Sequence, residues 1–316
     1  MNLLSRAIFV FGSLLTGSSL LQPLPKIQHP TTLSEQQQPL CNVLALSGGG
    51  AFGAIQMGVL DGLINTAGAP PAYDIVTGIS AGGLNAGFLS YYTRAADALP
   101  QIYNIFANLT TSQIYTSDIF HILSSYAIYS TAPLQATLAG IVGTQPQQSP
   151  APITLVGSTN VNQQTLDVFQ YNLATTPEKV QLLMATSAIP VVFPPQTMNG
   201  DLYVDGGVIS NEMIQQAVSA KDCTFYNFTF ISASPVHQTQ NVTGFGSYIS
   251  AIGNLLLNTF DYQLAEYESV KCSSTPRGLI NACFPTNPEI ETYSILNFDY
   301  GATLYNLGKS SFTCNQ

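Results

Sequence analysis

The chain has 316 residues, 46% of them hydrophobic and only 8% charged, with 8 Lys+Arg against 17 Asp+Glu and a formal net charge of −9. Soluble domains carry about 25% charged residues, so this composition excludes a coiled coil, a charge-rich disordered chain and a salt-bridged surface. The clustered Lys and Arg that nucleic acid and anionic membrane surfaces require are missing, so no nucleic-acid partner is expected.

The N-terminus has the pattern of a secretory signal peptide over residues 1–21: Arg6 ahead of an apolar run, then the small residues Gly17, Ser18 and Ser19. The run is about 15 residues, shorter than the ~20 that span a bilayer. Cleavage and secretion are therefore expected, with an N-terminal membrane anchor as the alternative. Residues 22–40 are rich in Pro and Gln and read as a flexible leader; residues 41–316 read as one domain. Three N-x-[ST] sequons, at Asn108, Asn227 and Asn241, agree with export, Asn227 least because its surroundings look like a strand. Five cysteines suit an oxidising compartment, and the spacing makes Cys272–Cys283 the first candidate for a disulfide. No Cys/His spacing suggests a metal site.

In chain order, residues 43–46 form a short apolar run entering Ser47-Gly48-Gly49-Gly50, a buried strand followed by a glycine turn. Residues 53–63 suit a helix packed on a sheet, broken by Ala69-Pro70-Pro71. Residues 73–76 form a second strand, ending in Thr77-Gly78-Ile79-Ser80-Ala81-Gly82, and residues 81–92 resume a helix. This alternation predicts an α/β fold with a mostly parallel sheet and helices on both faces. Further along, residues 101–129 and 133–141 read as helical. Residues 153–159 and 165–169 read as paired strands, 179–187 as a helix and 202–204 as a strand leading into Asp205-Gly206-Gly207. Residues 225–232 complete the strands, and 247–267 form a long amphipathic helix.

Gly78-x-Ser80-x-Gly82 between a strand and a helix is the pattern of a nucleophile elbow, in which a tight turn projects a serine hydroxyl at the carboxyl edge of a sheet. The helix that follows directs its positive end toward developing negative charge. The loop Gly48-Gly49-Gly50-Ala51-Phe52-Gly53 frees several backbone N–H groups to converge, which suits an oxyanion hole. Its G-x-G-x-x-G spacing also fits a dinucleotide fingerprint, but the acidic residue nearest the required distance, Asp74, starts its strand instead of ending it. Asp205 at a strand end, followed by two glycines, is placed to serve as a general base. The order Ser80, Asp205, His237 also allows a serine–aspartate–histidine triad of α/β-hydrolase type; His121 reads as a packing residue and His29 lies in the leader.

Together, Gly48–Gly53, Gly78–Gly82 and Asp205–Gly207 resemble the patatin-like phospholipase family, as do the stretches from Ala185 to Pro195 and Thr131-Ala132-Pro133-Leu134. The resemblance covers residues 43–217. It implies a three-layer α/β fold and a lipid acyl hydrolase with a Ser80–Asp205 dyad and no histidine. It further implies an oxyanion hole from the amides of Gly49, Gly50 and their neighbours, no metal or other cofactor, and a lipid substrate met at a membrane or micelle interface. Many relatives carry Lys or Arg where this chain has Phe52, so the loop lacks a basic group for an anionic head. A non-catalytic storage or defence protein of the same fold is the reading from another class. A carboxylate base must be ionised, so activity is expected to fall as pH drops through its pKa, near 4 if unperturbed and higher if buried.

Overall fold

The computed structural model describes residues 40–117, 125–235 and 278–315. The expected signal peptide, the leader up to residue 39, the three histidines, Asn241, Cys272 and the helix expected over 247–267 lie outside these residues.

The first strand, β1 (Leu40–Leu46), takes in the last residue assigned to the leader. Its near-continuous apolar sequence is what a strand covered on both sides requires. Leu44 and Leu46 face the main core, while Cys41 and Val43 face a second cluster on the other side. β2 (Ile75–Ile79) and β9 (Phe225–Ile231) flank β1, both parallel to it. β10 (Gly278–Pro285) extends the parallel sheet beyond β9, and β11 (Phe312–Asn315) closes that edge antiparallel to β10. On the other side, β5 (Ile153–Asn160) lies parallel to β2. β6 (Thr165–Gln170) returns along one edge of β5 as an antiparallel hairpin partner. β8 (Asp201–Asp205) pairs with the far end of β5 and with β7 (Gln196–Met198), both antiparallel. Among the described residues the sheet therefore holds nine strands, with a parallel centre and antiparallel margins.

Helices α1 (Gly53–Thr66), α2 (Ala81–Leu89), α3 (Ala95–Asn108), α4 (Ala132–Val142), α5 (Thr176–Thr186) and α7 (Gly301–Ser310) contribute buried residues to the main core on one face. α6 (Ile214–Ala220) covers the other, where Ile214 and Ala217 pack with Val43 and Ile75. α1 and α7 are locked by Asp61, whose Oδ2 accepts from the Tyr305 hydroxyl at 2.9 Å and pairs with Lys309 Nζ at 2.8 Å.

Two expectations need correction. The helix expected over 101–129 ends at Asn108, because Thr110 and Gln113 form a capping box around a separate 3-10 turn (Thr111–Gln113). Beyond it, β3 (Thr116–Ser117) pairs with β4 (Tyr129–Ser130), and the Tyr115 ring packs on Tyr129 and Phe193. The disulfide expected at Cys272–Cys283 is replaced by Cys283–Cys314, which face each other in the β10–β11 register with Cα atoms 4.0 Å apart. A second bridge, Cys41–Cys223, ties the start of β1 to the segment leading into β9. Spacing along the chain could not reveal either pair, since both are set by strand pairing.

Candidate active site

One edge of β5 organises the site. β2 runs along it in parallel up to Ile79, opposite Gly157. From the next residue, Ser158, the same edge is taken over by β8, which runs the other way and ends with Asp205 opposite Ser158. Two strands of opposite direction thus finish head-on, and the residues at their tips, Ser80 and Asp205, meet.

The chain turns sharply after β2. Ser80 has φ 54° and ψ −125°, a left-handed-side conformation costing on the order of 1–3 kcal/mol for a residue with a Cβ. The turn is tight enough that a Cβ on Gly78 would lie 2.1 Å from the Gly82 carbonyl oxygen, and one on Gly82 would lie 2.4 Å from that of Leu46. Thr186, at the end of α5, holds the turn in place. Its hydroxyl accepts from the Ser80 N–H at 2.9 Å and donates to the Gly157 carbonyl at 2.6 Å.

Asp205 is buried, its N–H donating to the Ala188 carbonyl at 2.9 Å and its Oδ1 accepting from the Gly207 N–H at 2.9 Å. Oδ2 has no partner in full hydrogen-bonding geometry among the described residues, yet the Ser80 hydroxyl is near enough to favour the ionised carboxylate. Burial outweighs both contacts and pushes the Asp205 pKa up to about 7. Seven residues on, Glu212 is also buried, its Oε2 has no partner among the described residues, and its pKa is pushed up to about 8 by desolvation.

Of the six loop residues expected to point amides at an oxyanion, four use their N–H within the fold. Gly48 donates to Asn211 Oδ1 at 2.7 Å, Ala51 to the Ile295 carbonyl at 2.8 Å, Phe52 to the Gly49 carbonyl at 3.1 Å, and Gly53 to the turn itself. The N–H groups of Gly49 and Gly50 remain without a partner among the described residues. Gly50 has φ +56°, and a Cβ there would lie 2.3 Å from the Ile295 carbonyl oxygen, so only glycine fits. Phe52 points into the core and is fully buried. Beneath the loop, Gln56 Nε2 donates to the carbonyls of Ser47 (3.2 Å) and Ile231 (2.8 Å), and Asn85 Nδ2 donates to Gln56 Oε1 and the Gly53 carbonyl, both at 3.0 Å.

A cavity of about 100 Å³, called the tunnel below, is lined by Gly50, Gly53 and Ala81 beside the elbow and extends to residues of α2, α3 and α4. Ile102, Phe106, Leu138 and Phe298 are among its apolar walls. The Tyr- and Ile-rich stretch read as a helix thus supplies part of this wall, and residues near 295–298, beyond the extent of the resemblance, complete both loop and tunnel. Of the sequons described, Asn108 is exposed at the end of α3, with Nδ2 donating to the Asn104 carbonyl at 2.8 Å. Asn227 is half-buried in β9, and its Nδ2 donates to Asn42 Oδ1 at 3.0 Å.

Sequence reasoning passed over Thr186, Gln56, Asn85 and Asn211. Gln56 and Asn85 were detectable as polar residues within otherwise apolar helices, since a polar side chain there needs a partner. Thr186 and Asn211 act across the chain, and their spacing carries no local signal.

Among curated proteins, a probable lipid hydrolase, 463L of Invertebrate iridescent virus 6, is 27% identical over 187 residues, covering 55% of this chain and 62% of the viral protein. Solved structures with a similar course include VipD from Legionella pneumophila (TM-score 0.43, 15% identity, 89% of this chain and 68% of that one). Another is the ExoU–SpcU complex of the Pseudomonas aeruginosa type III secretion system (TM-score 0.33, 12% identity, 88% and 53%). The family model for patatin-like phospholipase matches residues 44–218, more than half of the 316, and the chain belongs to that family.

Proposed function

We propose that the protein hydrolyses fatty acyl esters of lipids through a Ser80–Asp205 dyad. The observation that carries this reading is the meeting of β2 and β8 on one edge of β5, which ends the two strands at Ser80 and Asp205 and sets the serine hydroxyl near the buried carboxylate. Asp205 takes the Ser80 proton as Oγ attacks the ester carbonyl, and the amides of Gly49 and Gly50 receive the oxyanion. Collapse of the tetrahedral intermediate expels the alcohol, which takes the proton from Asp205. A water, deprotonated by Asp205, then attacks the acyl-serine, and the fatty acid and free Ser80 are regenerated.

The tunnel beside the elbow supports an acyl chain as the part held during reaction. A second groove, of about 660 Å³ and bordered by Val208 and Ile209 just beyond the Asp205 turn, is lined without a charged side chain. The exposure of Tyr126, Val191 and Ile209 around it supports contact with a lipid aggregate rather than a dispersed substrate. Two disulfides support export to an oxidising compartment.

The test is incubation of the wild type and Ser80→Ala with a mixed lipid extract, followed by analysis of free fatty acids. Release by the wild type alone is expected. Equal release by both proteins, or by neither, overturns the reading.

A further inference from the structure

The tunnel wall beside Gly87, away from the elbow along α2, is not all hydrocarbon. Tyr171 lines it and is fully buried, and its hydroxyl has no partner in full hydrogen-bonding geometry among the described residues, with the Tyr91 hydroxyl standing close to it. The hydroxyl-bearing end of the ring abuts Gly87, itself a tunnel residue: a Cβ added there would meet Tyr171 Cζ at 3.3 Å. Tyr91, also in the tunnel wall, presents a second hydroxyl nearby, whose own bond to the Val142 carbonyl is long at 3.5 Å. The Lys179 ammonium sits over both rings, 4.9 Å from the centre of Tyr91 and 5.2 Å from that of Tyr171. Burial raises the pKa of both phenols, so each enters any contact as a neutral donor.

A buried hydroxyl that is poorly satisfied is costly, and a ligand that offers it a well-aligned acceptor recovers that cost. Distance and volume define which ligand reaches it. Ala81 to Gly87 spans about 9 Å along α2 at 1.5 Å per residue. A volume of about 100 Å³ holds roughly eight water-sized spheres at 10–15 Å³ each. Both suit an acyl chain of about eight to ten carbons whose far end arrives at Tyr171.

Resting on the acyl hydrolase reading above, we propose that the tunnel selects medium-length acyl chains bearing a hydroxyl or keto oxygen near the ω end, with Tyr171 as the specificity-determining residue. The bound oxygen accepts from the Tyr171 hydroxyl and, as an alcohol, can also donate to the Tyr91 oxygen.

The experiment measures binding, so it does not depend on turnover. Ser80→Ala protein is titrated with decanoic acid and with 10-hydroxydecanoic acid, following displacement of a fluorescent fatty acid. The hydroxy acid is expected to bind roughly tenfold more tightly, the factor one recovered buried hydrogen bond supplies. Adding Tyr171→Phe, which keeps the ring and removes the oxygen, should erase that margin while plain decanoate binds at least as well. Moving the hydroxyl to carbon 2 or 6 should lose the preference, a comparison that needs no second variant. Equal binding of the two acids, a margin that survives Tyr171→Phe, or a preference indifferent to hydroxyl position each overturns the proposal. Failure here with Ser80 still labelled by a fluorophosphonate in the wild type removes the tunnel assignment alone; absence of labelling removes the hydrolase reading.

Discussion

At the scale of the residue, Asp205 combines two demands that oppose each other. The proposed mechanism uses it ionised, so activity should rise with pH around an apparent pKa of about 7 and be mostly lost by pH 5. Folding favours the opposite form. Because burial raises the pKa in the native state, the folded protein binds more protons than the unfolded one between about pH 4 and 7, and stability falls as pH rises through that window. Glu212, raised to about 8, extends the same trend upward. Asp205→Asn retains an acceptor for the Gly207 N–H but cannot ionise. It should lose at least 10³-fold in kcat, in line with removal of a catalytic base. At about 1.4 kcal/mol per pKa unit, it should also be more stable than the wild type at pH 8.5, by an amount on the order of 4 kcal/mol. The two should converge near pH 4. Thermal melts across this pH range check the sign, and a variant that is less stable at pH 8.5 contradicts it.

At the scale of the element, the elbow depends on a clamp from outside its own strand and helix. Thr186, contributed by α5, is hydrogen-bonded to both Ser80 and Gly157, so α5 and β5 together fix the turn. Thr186→Val keeps the shape and loses both bonds. It should lower stability by about 1–3 kcal/mol and kcat by about tenfold or more as the hydroxyl drifts from its attack position; unchanged kcat with lowered stability would assign Thr186 to folding alone. This element level also shows what could be read from the chain beforehand. β1 and the start of β2 were legible because strands buried on both faces are written as apolar runs, and the glycines at 78 and 82 were legible because no side chain fits there. The Cys283–Cys314 bridge and the Asn211 contact to the loop were not, since each depends on a register or a loop closure that leaves no mark on neighbouring residues. The helix expected through 101–129 failed for a related reason: its apolar residues serve the tunnel and an aromatic cluster, so their density reflected burial rather than helical periodicity.

At the scale of the whole molecule, few charges and exposed apolar side chains suit a protein that works against lipid. Val191, with φ +69° and 60% exposed, holds its side chain outward beside the groove at the Asp205 turn. Val191→Asp and Ile209→Asp should each reduce hydrolysis of vesicle or micellar substrate about tenfold and leave cleavage of a soluble short-chain ester unchanged. The net charge of −9 predicts weaker attachment to anionic than to zwitterionic vesicles, with the difference closing as salt is raised. Equal losses on soluble and aggregated substrate would place these side chains in the chemistry instead of at the surface.

The head-on ending of β2 and β8 has a consequence for how the protein matures. A slip of β8 by a single residue would leave a compact molecule with position 205 turned to the wrong side, and therefore silent. Under the proposed mechanism, nascent or misassembled copies should be harmless to the lipids around them, because the two groups lie 125 positions apart in the chain (205 − 80) and acquire one another only when β8 pairs with β5. Recovered turnover after dilution from denaturant is then a direct count of correctly threaded molecules, a measure that spectroscopic recovery of helix and strand would overstate.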